Sequence, residues 1–334
     1  MEYMKIGHTD INASAITFGA MPIGGGTWWS GSDDKVSIDT IHRAYDLGIN
    51  TIDTAIYGLG HSEEVVGKAI AGQRDKYVIS TKATFDWDTG EGRFWHEVDG
   101  HKVYVAHGYK DIIKDCENSL KRLGTDYIDI YYTHNPVRDP AWLEKYPVED
   151  TVRALMDLKK AGKIRCIGSS NVDPEHIEAY MACGCEIDII QRKYTILARG
   201  VEENILPICE KYGMTFHAYA PIERGLLTGT VTKDRVVPPG DAREDQAWWA
   251  PDKLPHAIDF VDGLKDICEE YHCTQTDLAI AFIRHNRPYV NVIYGARKIK
   301  HLEAGAATVN VTLRDDTVAE IRRRAEELEA KYGG

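Results

Sequence analysis

The sequence predicts an α/β protein, a closed (β/α)8 or TIM barrel, from two observations. Eight short runs rich in apolar and β-branched residues alternate with longer segments of helical periodicity. The runs are almost continuously apolar, which is typical of parallel strands covered on both faces. A doubly wound sheet is the alternative, but the glycine cluster after the first run, Gly24-Gly25-Gly26, lacks the G-x-G-x-x-G spacing of that fold. We therefore expect one barrel domain over residues 1–334.

The predicted strands and helices alternate regularly along the chain. The strands lie at 16–21, 50–55, 77–83, 127–134, 164–171, 187–194, 215–222 and 289–296. The helices that follow them lie at 33–48, 62–71, 109–124, 149–162, 174–184, 201–213, 276–286 and 300–307. Helix ends carry their usual signals, since Ser62 precedes two acidic residues at a helix start and Gly124 and Gly162 stand just past helix ends.

Other segments fall outside this repeat. The first residues, MEYMKIG and DINASA, predict a short N-terminal hairpin that caps one end of the barrel. Two extra helices are predicted at 260–272 and 315–333. Residues 84–108 form an insert after the third barrel strand, in which FWHEV and HKVYV flank Asp99-Gly100. This pattern predicts a β-hairpin, which we expect near the mouth of the site or at a subunit contact.

Composition narrows the class of protein. The chain has 334 residues, 43% of them hydrophobic, and a net charge of −12. An acidic surface repels phosphate backbones and anionic lipids, so we expect no nucleic-acid and no membrane partner. The N-terminus, MEYMKIGHTD, has no apolar signal segment, and no apolar run approaches the about 18–20 residues of a membrane span. We therefore expect a cytoplasmic protein.

The cysteines indicate neither disulfides nor a metal site. Seven are scattered along the chain, and none forms a C-x-x-C pair. Cys183 and Cys185 form C-G-C, but no second Cys/His pair stands at a suitable spacing. We therefore expect reduced thiols and no metal. The expected partner is a small-molecule substrate, and the sequence allows a homo-oligomer.

Polar side chains stand at the C-terminal ends of the predicted strands, where barrels of this kind build their active sites. Asp53 ends the second strand, with Tyr57 just beyond it, Lys82 ends the third and His134 the fourth. The later strand ends carry Ser169, Ser170, Asn171, Gln191, Tyr219, Gly295, Ala296, Arg297 and Lys298. A buried lysine needs a partner, which makes Lys82 the hardest of these to explain as a structural residue.

The chain resembles the aldo-keto reductase superfamily over nearly its whole length. The motifs that carry the resemblance are TFGAM, IDTA-x-YG-x-GHSEEVVGKAI, VISTK, SLKRLGTDYIDIYYTHNP, LKKAGKIRCIGSSN and AYAPIERGLLTG, in this order. The chain is most similar to bacterial members that act on sugars, inosose-like ketones and general aldehydes. The resemblance implies NADP(H)-dependent hydride transfer between a carbonyl and an alcohol, with NAD(H) as the alternative cofactor.

The resemblance also implies a catalytic tetrad of Asp53, Tyr57, Lys82 and His134. A carbonyl that receives hydride needs a proton, and Tyr57 would supply it. We expect the Lys82 ammonium to lower the pKa of this phenol and Asp53 to hold Lys82 in place. His134 would donate a hydrogen bond to the same carbonyl oxygen.

The cofactor residues follow from the same resemblance. Ser170 and Asn171 would bind the nicotinamide carboxamide with help from Gln191, and Tyr219 would stack on the nicotinamide ring. Arg297 and Lys298 would meet a 2′-phosphate, which favours NADP(H). The remaining cofactor contacts would come from Ala220, Pro221, Ile222, Gly225, Leu226 and Gly295, the first five through a backbone cradle for the pyrophosphate.

Besides the insert at 84–108, two features depart from the family pattern. The DTAIY segment is one residue shorter than the usual DTAxxYG, and Ala304-Gly305 replaces a frequent Glu-Asn pair. Both departures support a second hypothesis, a regulatory protein that binds the cofactor without turnover. All seven tryptophans follow strands one, three, four and seven, on the catalytic face, and we expect Trp28 and Trp29 to line the substrate pocket.

Overall fold

The computed structural model describes residues 1–26, 29, 31–87 and 89–333. Its strands are β1 (Tyr3–Lys5), β2 (Asn12–Ser14), β3 (Ile16–Gly19), β4 (Thr51–Asp53), β5 (Val78–Ala83), β6 (Phe85–Asp86), β7 (Arg93–Val98), β8 (His101–Val105), β9 (Ile128–Thr133), β10 (Ile164–Ser170), β11 (Ile189–Lys193), β12 (Thr215–Tyr219) and β13 (Val290–Gly295). Its helices are α1 (Asp34–Asp46), α2 (His61–Ile70), α3 (Tyr109–Leu123), α4 (Pro140–Lys145), α5 (Val148–Lys160), α6 (Pro174–Ala182), α7 (Val201–Asn204), α8 (Leu206–Lys211), α9 (Leu254–Asp262), α10 (Lys265–Glu270), α11 (Gln275–Arg284), α12 (Ile299–Ala307) and α13 (Asp315–Tyr332).

Eight parallel strands close into a barrel in the order β3-β4-β5-β9-β10-β11-β12-β13, which confirms the predicted fold. Each strand is followed by at least one helix, and the apolar faces of these helices form one continuous core with the outer face of the barrel. The register brings polar residues to one edge, because Asp53 pairs with Ser80, and Ser170 with Gln191. The C-terminal ends of the strands therefore form a polar rim.

The N-terminal hairpin closes the opposite end, as predicted. Strands β1 and β2 pair antiparallel, and Ile6, Ile11 and Ala13 are buried in one cluster with barrel residues such as Tyr132 and Ile189. The backbone N–H of Gly7 donates to Thr215 Oγ1 at 2.9 Å. The hairpin thus covers the N-terminal end of the barrel, and the polar rim lies at the other end.

Two predicted helices are divided in the structure. The segment 201–213 forms α7 and α8, because Pro207 lies in the first turn of α8 and has no N–H to continue the preceding helix. The segment 260–272 forms the end of α9 and all of α10, broken at Gly263, whose carbonyl accepts a hydrogen bond from Arg324 of α13 at 2.6 Å. The predicted last helix is present as α13. No described helix is long and apolar enough to cross a membrane.

The insert after β5 forms a three-stranded antiparallel sheet in the order β6-β8-β7. The predicted hairpin turns at Asp99-Gly100, where both residues have positive φ. Phe85, Val103 and Val105 of this sheet form a small core of their own, against which Ile56 and Leu59 of the loop after β4 pack. The insert therefore lies over the catalytic face.

Candidate active site

Asp53 and Lys82 form a buried ion pair at the polar rim. The Lys82 ammonium lies 3.0 and 2.9 Å from the two Asp53 carboxylate oxygens and donates to the Thr54 carbonyl at 2.8 Å. Lys82 is 1% exposed and Asp53 is 4% exposed. All three ammonium protons have acceptors, so the geometry is that of a well-satisfied buried charge.

The Asp53 carboxylate is held by further hydrogen bonds. Ser80 Oγ and Gln191 Nε2 donate to Asp53 Oδ1 at 2.7 and 2.9 Å. Burial acts to raise the pKa of Asp53, but the charge of Lys82 and these contacts outweigh it and leave the pKa below its usual value. Asp53 is therefore ionised at neutral pH and keeps a negative charge beside Lys82.

Tyr57 stands above this ion pair in the turn after β4. The Lys82 ammonium lies 5.7 Å from the centroid of its ring, and the ring meets the His134 ring edge-on at 6.1 Å. The turn is closed by a hydrogen bond from Ser62 N to the Tyr57 carbonyl at 3.1 Å. The loop that is one residue short thus still brings all four tetrad residues together.

The expected pKa shift of Tyr57 is wrong in direction. Burial and the negative charge of Asp53 raise the pKa of this phenol well above its usual value, although Arg224 acts in the opposite sense. The ammonium of Lys82 lies beneath the ring and is neutralised by Asp53, which explains its weak effect. Tyr57 is therefore a protonated phenol across the neutral range.

His134 follows β9 beside Tyr57. Burial and the Lys82 charge lower its pKa to about 3, so its imidazole is neutral. Within the described part of the chain, its buried Nδ1 has no hydrogen-bond partner. Its other neighbour is Phe85, whose ring packs edge-on at 4.9 Å.

The residues assigned to the nicotinamide lie together beside the tetrad. Tyr219 Oη donates to Asn171 Oδ1 at 2.8 Å, and Asn171 Nδ2 donates to the His134 carbonyl at 2.8 Å. Ser170 Oγ donates to the Gln191 carbonyl at 3.1 Å. The side chain of Gln191 is turned toward Asp53, so in this structure it supports the ion pair.

A buried polar layer beneath the ion pair was missed from the sequence. His217 Nδ1 lies 2.9 Å from Tyr132 Oη and 3.5 Å from Gln191 Nε2, inside the barrel. Burial and Lys82 lower the pKa of His217 to about 4, although Asp53 acts to raise it. His217 lies between apolar residues in TFHAY, which is an ordinary strand sequence, and only closure of the barrel shows that its side chain faces inward.

The loop after β12 adopts an unusual backbone. Ala220, Glu223, Arg224 and Gly225 all have φ between 49° and 103°, a region that favours glycine. Buried Glu223 holds the loop, because it pairs with Lys193 and accepts from Thr195 Oγ1 at 3.0 Å. Pro221, Ile222 and Leu226 lie in the same loop.

Arginines gather where the loops after β3, β12 and β13 meet. The Trp29 ring lies 5.2 Å from the Arg243 guanidinium and 5.7 Å from that of Arg297. Burial and the nearby Arg235, Arg297 and Arg224 lower the pKa of Arg243, although Asp241 acts to raise it. The sequence predicted a role for Arg297 but not for the side chains of Arg224 and Arg243. These two lie in another loop, far from Arg297 along the chain.

The remaining predicted residues are placed as follows. Gly295 ends β13 and packs against Gly19, and Lys298 immediately precedes α12. Trp29 lies in the arginine cluster, while Trp28 lies outside the described residues. Trp248 and Trp249 are buried, so they do not offer oligomer contacts on the surface. The residues described hold no cluster of metal-ligand side chains.

An ion pair, a phenol and an imidazole stand together at the rim of this barrel. They define an NAD(P)H-dependent oxidoreductase of carbonyl compounds. The chain belongs to the Aldo/keto reductase family, whose family model matches residues 15–326. The resemblance drawn from the sequence motifs is thereby confirmed.

Several known proteins resemble this chain over almost its entire length. An Escherichia coli (strain K12) protein named NADH-specific methylglyoxal reductase is 39% identical over 332 residues, which cover 98% of this chain and 100% of the relative. Aldo-keto reductase YhdN of Bacillus subtilis (strain 168) is 36% identical, covering 96% of this chain and 92% of the relative. The structure of glycerol dehydrogenase AKR11B4 from Gluconobacter oxydans superposes with a TM-score of 0.84 at 30% identity, covering 99% and 95% of the two chains.

Proposed function

We propose that this enzyme interconverts a small aldehyde or ketone, sugar-derived or simple, with its alcohol, and that Tyr57 is the proton donor. The observation that carries the proposal is the meeting of a protonated phenol, a neutral imidazole and a buried ammonium at one point of the rim. A reduced nicotinamide supplies a hydride to the carbonyl carbon when it is bound. The protein then has to deliver one proton to the carbonyl oxygen and stabilise the charge that develops there.

Tyr57 delivers the proton from its phenolic oxygen, which becomes phenolate as the alcohol forms. Its raised pKa keeps the proton in place until the oxygen of the substrate becomes basic. The Lys82 ammonium, 5.7 Å from the centroid of the Tyr57 ring and paired with Asp53, adds a weak stabilisation of the new phenolate charge, and Asp53 keeps it in position. The phenolate regains its proton from solvent before the next turnover.

His134 orients the carbonyl. Its ring is neutral, so one ring nitrogen carries a hydrogen and can donate it to the carbonyl oxygen. A neutral donor positions the substrate without competing with Tyr57 for the role of acid. The same proton transfer runs in the opposite direction when an alcohol is oxidised.

The residues present fit a nicotinamide dinucleotide. Arg224, Arg243 and Arg297 form a positive cluster on a chain with a net charge of −12, and phosphates match such a cluster. Tyr219 lies near both Arg224 and Tyr57, and its hydroxyl donates to Asn171 Oδ1 at 2.8 Å. A nicotinamide bound there would reach Tyr57. We propose NADP(H) as the preferred cofactor, held at its 2′-phosphate by Arg297 and Lys298.

The cofactor preference is tested by kcat/KM for NADPH and NADH. We expect wild type to prefer NADPH and Arg297→Ala to lose about tenfold for NADPH with little change for NADH, because only one cofactor carries the 2′-phosphate. Lys300→Ala, an exposed lysine in the first turn of α12, is the matched control. A wild-type preference for NADH, as in the name of the Escherichia coli relative, would overturn the NADP(H) assignment.

The proton-donor role is tested with Tyr57→Phe. Loss of the acid should lower kcat by a factor of about 10²–10⁴ on methylglyoxal, glyceraldehyde and a panel of aldoses and inososes. The nicotinamide dissociation constant should stay unchanged. Tyr212→Phe, at an exposed tyrosine, is the control. Undiminished turnover removes Tyr57 from this role, and tight cofactor binding without any wild-type turnover favours the regulatory hypothesis.

A further inference from the structure

The insert after β5 reaches across the mouth of the barrel. Its first strand, β6, carries Phe85, which packs edge-on against His134. At its far end, the Asp99 carboxylate lies so close to Gly26, in the loop after β3, that a Cβ on Gly26 would stand 2.3 Å from Asp99 Oδ2. The insert therefore spans the rim from β5 to the loop after β3.

The same insert rests on the loop that carries Tyr57. Ile56 and Leu59, which flank Tyr57, pack against Phe85, Val103 and Val105. From the other side, Gly24 approaches the Tyr57 backbone so closely that a Cβ there would meet its carbonyl oxygen at 2.9 Å. The catalytic turn is thus enclosed between the insert and the loop after β3.

A β-bulge brings Trp95 to the inner face of this insert. Pairing between β7 and β8 shifts between Phe94 and His96, so Trp95 is the extra residue. Bulges redirect side chains and are frequent beside active sites. The Trp95 ring lies 4.6 Å from the Phe85 ring, whereas Phe94 points to the other face and packs on Tyr104.

An aromatic wall therefore leads from the catalytic residues to the mouth. The rings of Tyr57, His134, Phe85 and Trp95 follow one another at centroid distances of 6.1, 4.9 and 4.6 Å. Trp95 is 37% exposed at the outer end. When Tyr57 and His134 hold the carbonyl oxygen of a substrate, the substituent on its carbonyl carbon would lie beside this wall.

We propose that the β7–β8 hairpin is the substrate-selecting wall of this site and that Trp95 is its specificity-determining residue. The inference rests on the proposed carbonyl chemistry and names its substrate class: short carbonyl compounds whose compact C–H or methyl face packs on the Trp95 ring. An indole offers a large flat apolar surface, and its bulk leaves little room for a ring-sized substituent.

The test compares methylglyoxal with phenylglyoxal, which differ only in a methyl or phenyl group beside the carbonyls. Trp95→Ala should raise the ratio of kcat/KM for phenylglyoxal over methylglyoxal by about tenfold or more, since pocket shape discriminates by such factors. Trp95→Phe should give an intermediate ratio. Phe94→Ala, one residue away on the opposite face, should leave the ratio within about twofold of wild type.

Two readouts separate specificity from a structural effect. Cofactor dissociation constants and far-UV circular dichroism should match wild type in all three variants, and Trp95→Phe keeps the test valid if Trp95→Ala misfolds. An active wild type with an unchanged ratio in Trp95→Ala and Trp95→Phe, or an equal change in Phe94→Ala, overturns this inference alone. A wild type that reduces other members of the carbonyl panel but neither glyoxal also overturns this inference alone. A wild type that reduces no member of the panel contradicts the proposed function, and this inference falls with it.

Discussion

Lys82 and Asp53 neutralise each other in the interior of the barrel, with Lys82 Nζ 2.9 Å from Asp53 Oδ2 and both side chains almost without solvent contact. The pair links two neighbouring strands, β4 and β5, at their catalytic ends. It positions a charge beneath Tyr57 and also fixes the rim itself. Activity and stability therefore depend on the same contact.

Asp53→Asn should separate these two contributions. The change leaves a buried ammonium without its counter-charge, so we expect a loss of about 3–5 kcal/mol in the free energy of unfolding and a large fall in kcat. Urea denaturation at pH 7 measures the first and steady-state kinetics the second. Asp39→Asn breaks the exposed pair with Lys35 and should cost less than about 1 kcal/mol. Equal losses in the two variants would contradict the role of burial.

Glu223→Gln should loosen the loop after β12. The carboxylate is buried, pairs with Lys193 and holds a run of residues with positive φ, so its neutralisation leaves Lys193 without its counter-charge. We expect the NADPH dissociation constant to rise about tenfold, with kcat less affected, by fluorescence titration. Glu203→Gln, an exposed residue of α7, is the control. Unchanged binding would show that the loop backbone holds its shape without Glu223.

Gly305→Ala should destabilise the packing of α12 on β13. A Cβ at this position would lie 2.3 Å from the Tyr294 ring, a contact that the buried ring cannot relieve by a small shift. We expect a loss of about 1–3 kcal/mol in thermal or urea unfolding. Gly200→Ala, where nothing stands within 4 Å, should be nearly neutral.

Acid should destabilise the protein through three buried histidines. Burial lowers the pKa of His107 and His134 to about 3 and that of His217 to about 4. The unfolded chain takes up these protons below about pH 6.5 and the folded one does not, so each histidine removes up to about 1.4 kcal/mol per pH unit as the pH falls from 6.5 toward 4.

Urea unfolding at pH 7, 6 and 5 measures this slope. His107→Gln should reduce the dependence of the unfolding free energy on pH by the contribution of one histidine. His107 is the histidine chosen because it takes no part in the proposed chemistry. His301→Gln, at an exposed histidine, should leave the slope unchanged. Parallel curves for wild type and His107→Gln would refute the assignment.

At alkaline pH the protein should lose stability because of Asp115. Burial raises the pKa of this carboxyl to about 8, although the Thr84 N–H donates to it at 2.8 Å. The folded state keeps a proton that the unfolded state loses above about pH 3.9, so this group costs stability as the pH rises toward 8. Below pH 6.5 the histidines outweigh it, and stability should peak near pH 6.5. Asp115→Asn should flatten the decline between pH 6.5 and 8, and an unaltered decline would contradict this cause.

The sequence by itself determined the barrel, because strand and helix periodicities and helix-end signals are local properties. It also determined that Asp53, Lys82 and His134 meet, since parallel strands bring their C-terminal ends to one rim. The sequence also predicted the N-terminal hairpin and the turn at Asp99-Gly100. Cofactor identity, oligomeric state and cellular location remain predictions.

The tertiary structure alone decided the environment of each site residue. Tyr57 has a raised pKa because burial by the surrounding elements and the charge of Asp53 outweigh the effect of Arg224, a balance that no local pattern displays. Arg224 and Arg243, in the loop after β12, meet Arg297, in the loop after β13, only in the folded chain. Trp95 faces the site because a bulge turns it inward and the insert folds over the Tyr57 loop. Each of these depends on contacts between residues far apart in the chain, which only closure of the barrel brings together.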